Sequence, residues 1–211
     1  VLHDEICLYD IDYQCLQDGK WLRDTILYYK IICLERKYKD LIKEHYCKIF
    51  YPPVAQLLQN YPYETAVQCL PHLDITQFKL IFFPFSDFNP ETQSATHWSL
   101  LFIDNRNGDM ILQHFDSHNQ ANWTEAQKLS ELLGRAFNFE AKNLKMFDSP
   151  TQTNGYDCGI YVLAFIDALI EHRGDSEAAK RVLTPEYTHE YRKQLREYIP
   201  ARAKEIEEQR H

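Results

Sequence analysis

The sequence predicts an α+β fold, because helix-like and strand-like patterns occupy different parts of the chain. Residues 1–76 have a mainly helical pattern, whereas short runs rich in β-branched and aromatic residues begin after Lys79. Hydrophobic residues make up 45% of the 211 residues, which is enough for a core and too much for a disordered chain. We therefore expect one domain, residues 1–211, with a helical lobe (1–76) and then a mainly antiparallel sheet flanked by helices (77–211).

The helical lobe contains three candidate helices. Trp21–Tyr38 has apolar residues at helical spacing and ends in charged residues. A second helix is expected to begin at Tyr51-Pro52-Pro53, because proline is tolerated in a first helical turn. Pro62–Leu70 is expected to form the third.

The rest of the chain supplies the predicted sheet and its helices. Four runs have the composition of strands, namely LIFFPF, HWSLLFI, MILQHFD and NLKMF. The sequence DNRNGD joins the second and third runs and predicts a hairpin. Three helices are expected in this part of the chain. An amphipathic helix is predicted over Trp123–Phe137, with Thr124 as candidate cap, and an apolar, central helix over Cys158–His172. The last helix is predicted from a stripe of Tyr187, Tyr191, Leu195 and Tyr198.

Charge and cysteine content exclude several classes of protein. The net charge of -8 argues against nucleic-acid binding, which needs clustered Lys and Arg. The apolar runs are too short to span a membrane. The six cysteines, Cys7, Cys15, Cys33, Cys47, Cys69 and Cys158, form neither a CxxC motif nor a zinc-site spacing. Reduced thiols in a cytoplasmic or nuclear protein are therefore expected.

Cys158 stands apart from the other cysteines because it begins the predicted central helix. Unpaired N–H groups and the helix dipole favour an anion there, and this setting promotes thiolate nucleophiles. Asn154-Gly155 predicts a tight turn just before it. Gly159 is expected to leave room beside the sulfur for a substrate backbone. The alternative is a small buried hydrophobic residue, as for the other five cysteines.

A nucleophilic cysteine needs a base and a group that orients the base. His97 opens one strand of the predicted hairpin and Asp116 closes the other. With a four-residue loop, Asn105–Gly108, the two residues face each other with Cβ atoms about 5 Å apart. With a two-residue turn, His97 pairs instead with His118 and lies diagonally from Asp116. Both registers keep His97 and Asp116 on one face, within reach of each other.

The same hairpin permits a competing hypothesis, a metal site. His114, Asp116 and His118 alternate along the sequence, so a strand would point all three to one side. No Cys or Glu completes a familiar ligand spacing, and His97 is left unexplained. We therefore expect no metal, with His114 and His118 as surface or edge residues. Gln152, in the loop before Cys158, is the candidate side-chain donor of an oxyanion hole beside the Cys158 N–H.

Taken together, these motifs resemble the Ulp/sentrin-specific family of cysteine proteases, which remove ubiquitin-like modifiers from proteins. The resemblance lies in His97-Trp98-Ser99-Leu100, in Phe115-Asp116-Ser117 and in the segment from Gln152 to Gly159. It implies a papain-like catalytic domain in which His97 is the base, Asp116 the orienting group, Cys158 the nucleophile and Gln152 an oxyanion donor.

The N-terminal third extends the resemblance, since Trp21-Leu22-Arg23-Asp24 is similar to the Trp-Leu-Asn-Asp of the family. The resemblance implies that Trp21 and Trp98 cover the Gly-Gly tail of the modifier, and that Asp24 helps to hold it. Arg23 departs from the family asparagine. No cofactor is implied, and the expected protein is a monomer.

Further details resemble the deneddylase branch, which removes the cullin-modifying ubiquitin-like protein and matures its precursor. They are Thr96, the Leu100-Leu101 pair, Asp116-Ser117-His118 with Asn119 close behind, and Leu183-Thr184-Pro185. We therefore expect the cullin modifier and its conjugates as partners. The alternatives are a SUMO or ubiquitin protease of the same fold, a catalytically silent module that binds ubiquitin-like proteins, and an acetyltransferase.

Overall fold

The computed structural model describes residues 2–3, 6–68, 70, 73–141 and 144–209. Its helices are α1 (Asp10–Gln14), α2 (Asp24–Lys37), α3 (Lys39–Lys43), α4 (Pro52–Asn60), α5 (Tyr63–Gln68), α6 (Trp123–Phe137), α7 (Cys158–Glu171), α8 (Ser176–Val182) and α9 (Pro185–Gln209), with a 3-10 turn at Ile75–Gln77. Its strands are β1 (Leu2–His3), β2 (Ile6–Cys7), β3 (Cys47–Ile49), β4 (Leu80–Ser86), β5 (Trp98–Asp104), β6 (Ile111–Phe115) and β7 (Lys145–Met146). Cys69 lies outside the described residues.

The main sheet has the strand order β3-β4-β5-β6-β7 and is mixed. The two inner pairs, β4–β5 and β5–β6, are antiparallel, whereas β3–β4 and β6–β7 are parallel. The prediction of a mainly antiparallel sheet is confirmed by the two long inner pairs, whereas the short parallel pairs at the two edges were not predicted. Strand β3 was also not predicted, because three residues within a helical region are too short to show an alternating pattern.

Helices cover both faces of this sheet. On one face, residues such as Phe82 and Phe102 join the core formed with α2, α7 and α9. On the other face, Phe83 and Leu101 pack with residues of α4 and α6. Strands covered on both sides are apolar along their whole length, which explains the unbroken run LIFFPF. The predicted α+β class is confirmed, in a helix–sheet–helix arrangement.

Near the site, one helix boundary and one predicted helix cap differ from the structure. Helix α2 begins at Asp24, so Trp21 lies in the loop before it, and is 54% exposed. Helix α6 begins at Trp123 with Asn122 at the N-cap position, which places Thr124 inside the helix. Thr124 is therefore not the cap. The side chain of Asn122 is bonded elsewhere, to the carbonyl of His97.

Helix α9 packs against the rest of the protein through a stripe that differs by one position from the prediction. Tyr191, Leu195 and Ile199 are buried, while Tyr198 is 47% exposed. Residues at i, i+4 and i+8 lie on one side of an α-helix, so Ile199 takes the place given to Tyr198. Arg192, the charged residue next to Tyr191, is also buried, with 1% of its surface exposed.

Helix α7 is the central helix. Every residue from Cys158 to Ile170 is buried, which confirms the prediction from its nearly uniform apolar composition. Its N-terminus brings Cys158 to the end of the sheet where β5 begins and β6 ends, so that His97 and Asp116 flank the strand ends beside it. No helix in the described part of the chain is long and apolar enough to cross a membrane.

Candidate active site

The hairpin brings His97 and Asp116 together in the second of the two predicted registers. Leu100 pairs with Phe115, so the continuation of the ladder places His97 opposite His118 and diagonal to Asp116. The Nε2 atom of His97 lies 2.6 Å from Oδ1 of Asp116. The loop is nevertheless longer than the two-residue turn that this register implied, because the last ladder pair joins residues 104 and 111.

The carboxylate of Asp116 is buried and accepts several further hydrogen bonds. The backbone N–H of His118 donates to Oδ1 at 2.7 Å, and that of Asn122 donates to Oδ2 at 3.0 Å. Burial alone would raise the pKa of Asp116, but the bond and charge of His97 and these two N–H groups outweigh it and lower the pKa. Asp116 is therefore a stable anion that fixes the imidazole.

The backbone of His97 is also fixed. Its N–H donates to Oδ1 of Asp87 at 2.9 Å, and its carbonyl accepts from Nδ2 of Asn122 at 3.1 Å. Burial alone would lower the pKa of His97, but hydrogen bonds to Asp116 and Cys158 and the negative charges of both outweigh it and raise the pKa to about 9. With Nε2 held by Asp116, Nδ1 is the ring nitrogen left for the thiol.

Cys158 is the first residue of α7 and is 2% exposed. The loop before it is a turn closed by Asn154, whose Oδ1 accepts the N–H groups of Tyr156 and Asp157, both at 3.0 Å. A Cβ atom on Gly159 would lie 2.9 Å from the Cβ atom of Leu22. The prediction that Gly159 leaves room for substrate is therefore wrong: the glycine allows α7 to pack against the loop that carries Leu22.

Gln152 is anchored beside this loop. The Ser117 hydroxyl donates to its Oε1 at 2.7 Å, and its Nε2 donates to the carbonyl of Asn154 at 2.6 Å. The amide group has two N–H bonds, and Asn154 accepts one of them. Within the described residues no partner accepts the second N–H, so this N–H is free to donate a further hydrogen bond.

Two cavities meet at His97. The first, of about 460 Å³, is lined by Trp21, Asp24, His97, Trp98 and Cys158 together with residues of the neighbouring loops. The second, of about 520 Å³, shares Trp21 and His97 and is also lined by Gln152. A larger cavity of about 620 Å³ lies between α4 and α6 and contains none of these residues. The chemistry of the lining, rather than the volume, therefore locates the candidate site.

The two tryptophans of the first cavity differ in their surroundings. Trp98 is 8% exposed and belongs to the core, and its Nε1 donates to the carbonyl of Leu22 at 3.2 Å. Trp21 is 54% exposed, and its Nε1 donates to the carbonyl of Gly155 at 2.6 Å. Trp98 is thus a buried wall of the cavity, whereas Trp21 is an exposed side chain that is hydrogen-bonded to the loop before Cys158.

Arg23 and Asp24 lie at the rim of the same cavity. The Nε atom of Arg23 is 3.1 Å from Oδ1 of the buried Asp12, and its backbone N–H donates to Sγ of Cys15 at 3.4 Å. Asp24 is exposed at the start of α2, and its Oδ1 accepts the N–H of Thr25 at 2.8 Å. The arginine that replaces the family asparagine therefore binds to the N-terminal segment.

The histidines of the competing metal hypothesis separate in the structure. His118 is exposed, while His114 is fully buried between Phe85 and Trp123, with ring centroids 5.6 and 5.9 Å away. The prediction that His114 is a surface or edge residue is wrong. Burial lowers the pKa of His114 to about 4, so its ring is neutral at pH 7. In the part of the chain that the structure describes, no three His, Cys, Asp or Glu side chains could hold a metal ion.

Several residues that build this site were not found by sequence reasoning. Asn122 and Asp87 hold the backbone and carboxylate of the His97–Asp116 pair, and Ser117 holds Gln152. The signal for Ser117 was its position directly after Asp116. Nothing in the local sequence marks Asn122 or Asp87, because their role depends on hydrogen bonds to residues of other segments.

Comparison with known proteins identifies the family. The sequence profile described as "Ulp1 protease family, C-terminal catalytic domain" matches residues 63–205. The chain belongs to the Ulp1 protease family. The predicted family, fold and enzyme class are confirmed: the protein is a cysteine peptidase that acts on ubiquitin-like proteins.

Individual relatives cover nearly the whole chain. Sentrin-specific protease 8 of Mus musculus is 29% identical over 203 residues, covering 93% of this chain and 90% of its own. The NEDD8-specific protease 1 of Arabidopsis thaliana is 24% identical over 173 residues, covering 80% and 74%. A structure of the SUMO protease Ulp1, with its catalytic cysteine oxidized to a sulfenic acid, is 21% identical, with a TM-score of 0.70 over 96% of this chain and 88% of its own.

Proposed function

We propose that this Ulp1-family protease cleaves after the Gly-Gly tail of a ubiquitin-like modifier with Cys158 as nucleophile and His97 as base. Asp116 orients the base, and Gln152 with the Cys158 N–H stabilises the oxyanion. The observation that carries the proposal is the hydrogen-bonded Asp116–His97 pair, which reaches Cys158 at the N-terminus of α7. Nucleophile, base and orienting group in this order are the requirement for thiol acyl transfer.

The reaction proceeds in two steps. In the first, the Cys158 sulfur attacks the carbonyl of the terminal glycine, and the oxyanion accepts hydrogen bonds from the Cys158 N–H and Gln152. His97 takes the thiol proton of Cys158 and gives it to the departing lysine amine as the tetrahedral intermediate collapses to a thioester. In the second step, His97 takes a proton from water, the hydroxyl attacks the thioester, and the modifier and free thiol are released.

The first cavity is the proposed channel for the modifier tail. Glycine has no side chain, so the passage between Trp98 and the exposed Trp21 can be narrow and reject bulkier residues. Asp24 faces the same cavity, where its carboxylate would accept N–H groups of the tail backbone. The folded body of the modifier then supplies most of the affinity through a wider surface.

We propose that the preferred modifier is NEDD8, the cullin modifier, and that the enzyme both deconjugates it and matures its precursor. Two findings support this choice. The branch-specific residues, such as Thr96 and the Leu183-Thr184-Pro185 segment, favour a deneddylase. One relative is named as a NEDD8-specific protease.

Covalent labelling tests the nucleophile and the modifier together. NEDD8, SUMO and ubiquitin, each carrying a thiol-reactive group in place of the terminal carboxylate, are incubated with the protein and the intact mass is recorded. We expect one adduct, formed fastest with NEDD8, absent from Cys158→Ala and retained by the control Cys7→Ala, which removes an exposed thiol.

The outcomes separate the parts of the proposal. Fastest labelling by SUMO or ubiquitin would retain the chemistry and overturn the choice of modifier. Equal labelling of Cys158→Ala would overturn the assignment of the nucleophile. No labelling by any of the three would favour the silent binding module or the acetyltransferase.

A further inference from the structure

Arg192 of α9 carries a buried charge near the site that makes hydrogen bonds to several segments. Its Nε lies 2.7 Å from Oδ1 of Asp157, and the two terminal nitrogens donate to the carbonyls of Cys15 and Tyr156, both at 3.1 Å. A third carbonyl, that of Gln17, lies 3.5 Å from Nη1. One guanidinium therefore joins the C-terminal helix to the loop before Cys158 and to the N-terminal segment.

Asp157, the partner of Arg192, occupies the N-cap position of α7, directly before Cys158. An aspartate in this position usually accepts N–H groups of the first helical turn. Asp157 makes no such bond within the described chain: one oxygen binds Arg192, and Nδ2 of Asn154 donates to the other at 2.7 Å. The first N–H groups of α7 are thereby left for a negative sulfur or an oxyanion.

The charge of Asp157 also matters, because a carboxylate beside a thiol disfavours the thiolate. The guanidinium of Arg192 compensates this charge at hydrogen-bond distance, with both side chains buried. The other charged and titratable groups around Cys158 are His97, with Asp116 behind it on the sheet, and Arg23 and Asp24 across the first cavity. Of these groups, Arg192 is the one that neutralises the residue next to the nucleophile.

We propose that Arg192 is a positioning residue of the active site, which turns the Asp157 carboxylate away from the N-terminus of α7 and compensates its charge. The free N–H groups of the helix then stabilise the thiolate of Cys158 and the oxyanion. The inference rests on the proposed role of Cys158 as nucleophile. It requires no particular modifier.

Alkylation of Cys158 by iodoacetamide tests the inference without any substrate. The rate is followed by mass spectrometry of the Cys158 peptide as a function of pH. In Arg192→Met we expect the midpoint of the rate profile to rise by about one pH unit, because an uncompensated carboxylate then faces the thiol. The double variant Arg192→Met/Asp157→Asn removes that carboxylate, and we expect its midpoint to return to within a few tenths of a unit of the wild-type value.

Two controls separate positioning from folding. Lys193→Met removes the same charge from the adjacent, exposed position of α9 and is expected to leave the midpoint unchanged. If Arg192→Met does not fold, the milder Arg192→Lys keeps the positive charge with fewer donors. For that variant we expect a wild-type midpoint and a kcat lowered about tenfold, with KM within twofold, because the loop is less firmly held.

Each result bears on the inference. If Arg192→Met is less stable but has the wild-type midpoint of the alkylation profile, Arg192 has only a structural role. The same conclusion follows if the midpoint of the double variant stays as high as that of Arg192→Met. In the same way, Arg192→Lys with both midpoint and kcat of the wild type would overturn the positioning role. Failure of Cys158 to react in the wild-type protein would instead overturn the proposed nucleophile, so the two failures are distinguishable.

Discussion

Two buried carboxylates, Asp116 and Asp167, show how similar bonding can serve different ends. Asp116 lies at the end of the sheet and accepts bonds from His97 and from two backbone N–H groups. Asp167 lies within α7 and accepts bonds from Nζ of Lys37 at 2.7 Å and from the hydroxyls of Tyr38 and Tyr191 at 2.6 and 3.2 Å. Both are buried and satisfied, as buried charges must be.

The difference lies in the partners. The bonds to Asp167 come from the C-terminal end of α2 and from α9, so they hold these two helices to α7. The strongest partner of Asp116 is an imidazole that itself borders a cavity and reaches Cys158. We therefore expect the loss of Asp167 to affect stability first, and the loss of Asp116 to affect activity first.

Asp116→Asn provides the largest expected effect. The amide keeps the shape of the carboxylate but holds His97 in the wrong tautomer and no longer stabilises its protonated form. We expect kcat on a modifier substrate to fall about a thousandfold or more, by analogy with triads in which the same change was made. The matched change Asp167→Asn is expected to alter kcat less than threefold. Comparable losses in the two variants would remove the distinction between the sites.

The dependence of activity on pH gives the next largest effect. Because Asp116 and Cys158 raise the pKa of His97 to about 9, the alkaline limb of the rate profile is expected near that value in the wild-type protein. In Asp116→Asn the limb moves down toward the ordinary histidine value of about 6.5. Asp167→Asn serves as the control. If its alkaline limb also moved down, the shift in Asp116→Asn could not be ascribed to the lost contact with His97.

The same shift links folding to pH. A raised pKa means that the folded state holds the His97 proton more tightly than the unfolded state does. The resulting stability is complete below about pH 6.5 and is lost as the pH rises through about 9. The lowered pKa of Asp116 acts in the opposite range, with stability present above its unfolded value of about 3.9 and lost in stronger acid. The free energy of unfolding, measured by urea denaturation at pH 7 and at pH 9.5, is expected to change more between the two pH values in the wild type than in His97→Gln.

Asp167→Asn is expected to lower the free energy of unfolding by about 2 kcal/mol, since three donors lose a charged acceptor and Lys37 is half exposed. Urea denaturation measures this value. Asp116→Asn, whose carboxylate is held mainly by backbone N–H groups and His97, is the comparison. A larger loss of stability in Asp116→Asn than in Asp167→Asn would invert the expected roles.

The sequence predicted the parts of the site that combine a chemical requirement with a local pattern. Cys158 was found by its position at the start of an apolar helix, and His97 and Asp116 by their positions at the ends of a hairpin. Both possible registers satisfied the sequence, and the structure has the one that, if extended beyond the last paired residues, places His97 opposite His118. Their roles in catalysis stay predictions, which the labelling experiment tests for Cys158 and the kinetics of Asp116→Asn test for the pair.

Features that depend on distant contacts were not predictable in this way. Strand β3 owes its existence to pairing with β4, and the burial of Arg192 depends on distant partners that nothing in its neighbourhood on α9 indicates. The same limit explains Gly159, for which the sequence indicated a small residue near the sulfur but not that Leu22 occupies the space. Long-range partners decide each of these cases.

Trp21→Phe is the substitution with the smallest expected effect. It tests whether a change in the wall of the first cavity alters the kinetics in the same way as the loss of the Asp116 carboxylate. Phenylalanine keeps an aromatic ring at this position but loses the 2.6 Å hydrogen bond from Nε1 of Trp21 to the carbonyl of Gly155. Because Trp21 is 54% exposed and contacts neither carboxylate, we expect KM to rise about threefold, with kcat within twofold and the alkaline limb unmoved. Steady-state kinetics across pH measure all three quantities. A shift of the alkaline limb of the pH–rate profile would mean that Trp21 influences the His97–Asp116 pair. That result would contradict the view that the exposed wall of the cavity and the buried charged pair act independently.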